Sequence, residues 1–412
     1  MTEVTDGGRL LTEPISGTLR ISRKALLQTI LALIVLAAIT AGAFLLQNTA
    51  GWGATASFSL LVGALLGIAF QRGRFCFYCI LRDYIEFKNS TALYSILTAL
   101  AVGSIGYVII FGMFLPNPAV GRLPPGAHIG PVSWVLVAGG IAFGIGMALS
   151  GACVSGHLYR LGEGYLRAPI ALIGTLIGFG LGFFSWSALY IDTLVRAPVS
   201  WFPATFGYGG SLILQLALIG GIGLFLLRWL PESKASEGGK WSLARVYKIL
   251  FRQRWNPLAT GALVGLVGVF AYLRVEPLGV TSQLSSLSRT VLNDAGLLAD
   301  RLNGLDTFAG CAAIVIQTIT DNGWLIIGLV LASFAMALLS KRFSFSKLTV
   351  VNSITALLGG IFMGWGSMVA LGCTVGTLLS GISAFAVSGW VFFAAVFIGV
   401  WLGIKLRLHT TG

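Results

Sequence analysis

The residues of this 412-residue chain best suited to chemistry are five cysteines, three histidines and several arginines that flank apolar runs. Two of the cysteines stand in register. The stretch Gly139–Gly156 (GGIAFGIGMALSGACVSG) returns as Gly359–Gly376 (GGIFMGWGSMVALGCTVG), with seven of eighteen positions identical and Cys153 and Cys373 in the same slot. Each copy reads as a smooth helix of small residues that ends at a thiol, after which Val-Ser-Gly or Thr-Val-Gly loosens the chain. A helix broken inside a bilayer leaves backbone N–H and C=O groups free, and these are tolerated only where they face protein or a wet cavity. A helix N-terminus at such a break attracts anions. A thiol placed there is soft and polarisable, so it suits a sulfur- or selenium-containing solute better than a hard oxyanion, and a low-pKa thiol can react with one.

The remaining thiols carry weaker signals. Cys76 closes Gly-Arg-Phe-Cys just after an apolar run, and Cys79 makes C-x-x-C with it. That pair supplies too few ligands for a metal site. A single membrane cysteine more often packs as a small hydrophobe, and only the repeat lifts Cys153 and Cys373 above that reading. Cys311 sits in an apolar segment, 307–319, too short to span a bilayer. His157 lies four residues after Cys153, on the same face if the helix continues; it either assists the thiol or sits at the membrane interface. Arg72, Arg74, Arg82, Arg160 and Arg167 read as membrane anchors, with Arg74 and Arg160 the candidates for drawing an anion to the inner mouth. No P-loop, dinucleotide fingerprint or H-E-x-x-H occurs, so no cofactor or metal is expected.

The elements that must hold these residues are transmembrane helices. The chain is 56% apolar and 10% charged, with a mean hydropathy of +0.89. That composition excludes a soluble domain and predicts an all-α polytopic membrane protein: about ten spanning helices plus short or broken ones, in two inverted-topology repeats. We divide it into a polar tail (1–24), an extra N-terminal span (25–50), a first repeat (51–230), a basic cytoplasmic linker (231–256) and a second repeat (257–408). The segment after Cys79 is expected to lie at the surface as a short amphipathic helix, and 307–319 to be re-entrant or an interfacial plug.

The net charge of +13 reads as topology rather than nucleic-acid binding. With the N-terminus inside, the inner segments hold 22 of the 27 Lys and Arg residues and leave Arg122, Arg196, Arg274, Arg289 and Arg301 outside. The repeat before Cys153 then runs outward to inward and the one before Cys373 inward to outward. That inversion is common in transporters with a site near the midplane. The outer face, with those five bases against six acids, shows no cationic funnel. No charged residue occupies the middle of a span, which argues against a conventional proton relay.

Arg74-Phe-Cys-Phe, Ser150-Gly-Ala-Cys and Ala370-Leu-Gly-Cys-Thr, set in a duplicated Gly-rich membrane protein, resemble the YeeE/YedE (sulphur transport) family, over about residues 55–406. The resemblance implies an hourglass of long and short helices with three cysteines, here Cys76, Cys153 and Cys373, at the constriction. It also implies thiosulfate passing from thiol to thiol through S–H···S contacts, at what we expect to be a bacterial inner membrane; the Lys and Arg distribution places both termini on the cytoplasmic side. A small cytosolic sulfur-carrier protein is the partner it suggests, with the basic linker as a docking place. Selenium-compound transport, or an enzyme-like thiol protein carrying persulfide sulfur, are the competing expectations.

Overall fold

The computed structural model describes residues 23–49, 53–231, 251–299, 301–305, 314–316 and 318–408. Cys311, the polar tail and most of the basic linker lie outside the described residues. Ten helices among those described are long and apolar enough to cross a membrane, so the chain is a multi-pass membrane protein. The helices, long and short, are in order α1 (Arg23–Asn48), α2 (Gly53–Gly73), α3 (Phe77–Phe87), α4 (Leu93–Phe114), α5 (Trp134–Ser150), α6 (Val154–Glu163) and α7 (Arg167–Asp192). There follow α8 (Phe202–Leu226), α9 (Pro257–Arg274), α10 (Ser282–Asp294), α11 (Asp321–Leu339), α12 (Val350–Val369), α13 (Thr374–Ser383) and α14 (Val387–Lys405). In this numbering α2 with α3, and α5 with α6, each form one broken span.

Helix starts follow local chemistry. Ser133, Thr320 and Thr349 accept the backbone N–H three residues on, and Asn256 caps α9 with Pro257 at the first helical position. α7 runs to Asp192, and within α8 Gly207, at φ 66°, leaves helical geometry and kinks the chain between a short first turn and the long helix that follows.

Glycines set the helix pairing. A Cβ on Gly63 or Gly67 of α2 would lie 1.9 or 2.3 Å from the carbonyl oxygens of Leu325 or Leu329 in α11. Such backbone-to-backbone contact admits no larger residue and replaces hydrophobic drive with close packing in lipid. Rising residue numbers on both helices make this pair parallel. Helices α7 and α12 pair in the same way through Gly174, Gly178, Gly360 and Gly364, α4 and α9 through Gly261 and Gly265, and α5 and α14 through Gly144 and Gly399. The central crossing is opposite in sense. Gly139 of α5 meets Gly366 of α12 while Gly146 meets Gly359, so the two copies of the repeat pack antiparallel. Exchanging α2 with α9, α4 with α11, α5 with α12 and α7 with α14 maps these pairs onto one another, which is the packing an inverted duplication calls for. α1 lies outside this scheme, against α2 and α11.

One expectation holds only in part. α3 is short and amphipathic as expected, but its apolar face is packed inside the bundle: Phe77, Tyr78, Ile80 and Leu81 are each no more than 1% exposed. Those four side chains join the main buried cluster of the bundle, and the charges Arg82, Asp83 and Glu86 pair with one another on the other face of the helix.

Candidate substrate-binding site

Three helices break in the same way. At each break one residue takes the left-handed conformation, and the cysteine two residues on caps the next helix. The left-handed residues are Arg74 (φ 56°), Gly151 (φ 81°) and Leu371 (φ 57°). The caps are Cys76 before α3, Cys153 before α6 and Cys373 before α13, all with extended backbone. The chain therefore does not loosen after Cys153 and Cys373, as their Gly-containing sequels suggest; it starts a new helix. Every one of these thiols stands at a helix N-terminus, where the backbone N–H groups and the helix dipole present partial positive charge. Arg74 and Leu371 adopt a conformation that costs a non-glycine residue about 1–2 kcal/mol.

The carbonyls freed by the breaks find partners. Arg160 donates to Gly151 O (2.9 Å) and Arg167 to Leu149 O (2.6 Å) at the end of α5. At the end of α2, Trp255 N–H donates to Arg72 O (3.1 Å) and Arg254 to Gly73 O (3.3 Å). The arginines thus bind backbone first. Satisfied carbonyls are what let irregular backbone persist at membrane depth.

Two breaks meet. Cys76 Sγ and Cys153 Sγ are 3.8 Å apart, both 0% exposed. Ser155 Oγ lies 3.2 Å from Cys153 Sγ, and Gly156 N–H donates to it at 3.4 Å. Phe75 stacks on Phe70 and meets Phe77 edge-on, both at 5.4 Å, so aromatic rings flank Cys76. Gly156 is required here: a Cβ at that position would lie 2.7 Å from Cys76 Sγ. Cys79, one turn beyond Cys76, accepts from Arg160 at 3.0 Å, so a cation stands directly behind the thiol pair. Cys373, 1% exposed, belongs to the same buried apolar cluster, but the antiparallel crossing of α5 and α12 carries it toward the opposite end from Cys153.

The auxiliary residues divide. Arg160 joins the thiols. Arg74 faces the buried carboxylate of Glu163 at 3.7 Å, which also accepts from Gln71. His157 lies one turn into α6, its N–H donating to Cys153 O at 2.9 Å. Its Nε2 is buried without a partner among the described residues, and no hydrogen bond joins the imidazole to the Cys153 thiol there.

The residue that sequence reasoning missed is His128, in the loop after α4. It lines a cavity of about 300 Å³ that also touches Tyr272, Glu276 and Asn322. Burial pushes its imidazole down to about 4, so it is neutral at pH 7. A lone histidine in a Pro/Gly-rich loop has no periodicity to announce it.

The family described as sulphur transport matches residues 72–402. The chain belongs to this family. The match takes in all three cysteine breaks and leaves out α1. Two relatives named thiosulfate transporter TsuA are each 28% identical: one from Escherichia coli over 83% of this chain and 92% of its own, one from Spirochaeta thermophila over 83% and 96%. A probable transporter, YedE of Escherichia coli, is 32% identical over 91 residues, 21% of this chain and 22% of its own.

The thiol pair makes one local prediction. Mild oxidation is expected to link Cys76 to Cys153, seen as a reductant-sensitive cross-linked peptide by mass spectrometry. Gly156→Ala is expected to lower that yield several-fold by wedging the sulfurs apart. Equal cross-linking in the variant would show that the pair tolerates the wedge.

Proposed function

We propose that this protein takes up thiosulfate, or a closely related reduced-sulfur anion, across a bacterial inner membrane, with both termini cytoplasmic. Cys76, Cys153 and Cys373 are its substrate-contacting thiols, and Arg160 supports the inner pair. The observation that carries this reading is the 3.8 Å thiol pair, each member capping a helix N-terminus in the buried centre of the bundle. The helix ends offer positive charge to the anion, and the thiols offer S–H donors to its outer sulfur, which a hard oxyanion lacks. The anion moves intact from one thiol to another, without a covalent intermediate, so the protein acts as a transporter and not as an enzyme. The names of its relatives favour the same substrate over selenium compounds or persulfide. A small cytosolic sulfur carrier is the partner we assign to the basic linker.

Uptake of thiosulfate labelled at its outer sulfur tests this, in cells lacking other thiosulfate importers. Expression is expected to raise uptake at least about tenfold over the empty vector. Unlabelled thiosulfate should compete, and sulfate, which has no outer sulfur, should compete poorly. A well-inserted protein that gives no uptake would overturn the proposal.

A further inference from the structure

The two in-register glycines that follow the repeated cysteines have different neighbours. Gly156, three residues after Cys153, faces the thiol of Cys76. Gly376, three residues after Cys373, faces an imidazole: a Cβ there would lie 3.1 Å from His128 Cε1 and 3.6 Å from its Nε2. The slot beside the capping cysteine is filled in one half by a second thiol and in the other by His128, delivered from an unrelated loop.

His128 also divides two spaces. On one side is the cavity of about 300 Å³, roomy enough for a small anion. On the other is a crevice of about 10 Å³ lined by Leu371, Thr377 and Ser388, beside the break that carries Cys373. The side chain is 7% exposed and has no hydrogen-bond partner among the described residues. Thr377 Oγ1 is likewise buried without one. Ser388 Oγ, 1% exposed, accepts from Gly130 N–H at 3.2 Å, which leaves its own proton to give. An unsatisfied buried hydroxyl such as that of Thr377 calls for a ligand or a water.

We propose that His128, with Thr377 and Ser388, forms a hard-donor subsite next to Cys373 that binds the oxygen-bearing end of the entering sulfur anion. The proposal rests on the thiosulfate reading above and adds a division of labour to it. The imidazole N–H and the two hydroxyls hold the sulfonate oxygens, and the Cys373 thiol meets the outer sulfur. A neutral histidine is suited to this, because it donates a hydrogen bond without trapping a dianion through full charge. The cavity lies at the end of the bundle that the distribution of Lys and Arg places outside, so the anion reaches this subsite before the Cys153–Cys76 pair.

The test is thiosulfate uptake kinetics together with thermal-shift titration of purified full-length protein by thiosulfate and by sulfate. His128→Ala is expected to raise both KM and the half-saturating thiosulfate concentration about tenfold or more, the effect of losing a hydrogen bond to a charged ligand. His128→Asn, which keeps an N–H donor, is expected to recover part of that. Cys373→Ala is expected to abolish the preference for thiosulfate over sulfate, while His128→Ala weakens both anions alike. Should His128→Ala fail to accumulate in membranes, Thr377→Val and Ser388→Ala carry the same comparison. Wild-type transport and binding with unchanged affinity in these variants would overturn the subsite and leave the transport function standing. A wild-type protein that neither transports nor binds thiosulfate would overturn both.

Discussion

Replacement of Cys153 by Ser is expected to reduce thiosulfate uptake by about two orders of magnitude, equivalent to about 2.7 kcal/mol, with the protein still inserted. Serine keeps the size, the capping geometry and the contact with Gly156 N–H, so the fold is retained. What it removes is the soft atom 3.8 Å from Cys76 Sγ. Cys76→Ser is expected to match it. The double variant should be no worse than either single one, because both remove one shared contact, and residues that act as a unit are not additive. The measurement is initial-rate uptake normalised to membrane protein level. Additive losses would show that the two thiols act separately, and near-normal uptake by Cys153→Ser would remove the thiols from the transport path.

The second large effect concerns the scaffold. Gly364→Val is expected to destabilise the protein by about 3 kcal/mol or more, read as loss of the folded peak in fluorescence-detected size exclusion after heating. The Cβ of residue 364 would stand 2.1 Å from Thr175 O and 2.8 Å from Phe179 N, both backbone atoms that cannot yield without parting α7 from α12. Gly221→Ala is the control. That glycine faces open space on α8, so alanine is expected to be neutral or stabilising by up to about 1 kcal/mol, since it restricts the unfolded chain more than glycine does. An equal loss in both variants would mean that helix flexibility, and not the α7–α12 contact, sets stability.

These expectations bear on what could be read before folding. The apolar runs fixed the number of spans, because twenty apolar residues have few other stable states in lipid. The repeat in register singled out Cys153 and Cys373 by its seven identical positions and shared thiol slot, and the helix pairs use the repeat's glycines. Cys76 was legible mainly through its resemblance to known motifs. Nothing local marked it as the partner of Cys153, 77 positions away. The burial of α3 was hidden as well, because its Arg82, Asp83 and Glu86 read as surface residues although they satisfy one another on one face.

Sequence by itself thus determined the solvent the protein lives in, the helices that cross it, the duplicated break and the class of atom placed there. Only the tertiary structure decided which thiols touch, that Arg160 stands behind them, that Arg74 serves Glu163, and that His128 lies against the second break. The reason is physical. Hydropathy and small-residue spacing act within one helix, and a sequence displays them directly. The left-handed turns at Arg74 and Leu371 do not: neither residue favours that conformation, and it is imposed by helices packed on both sides of the break.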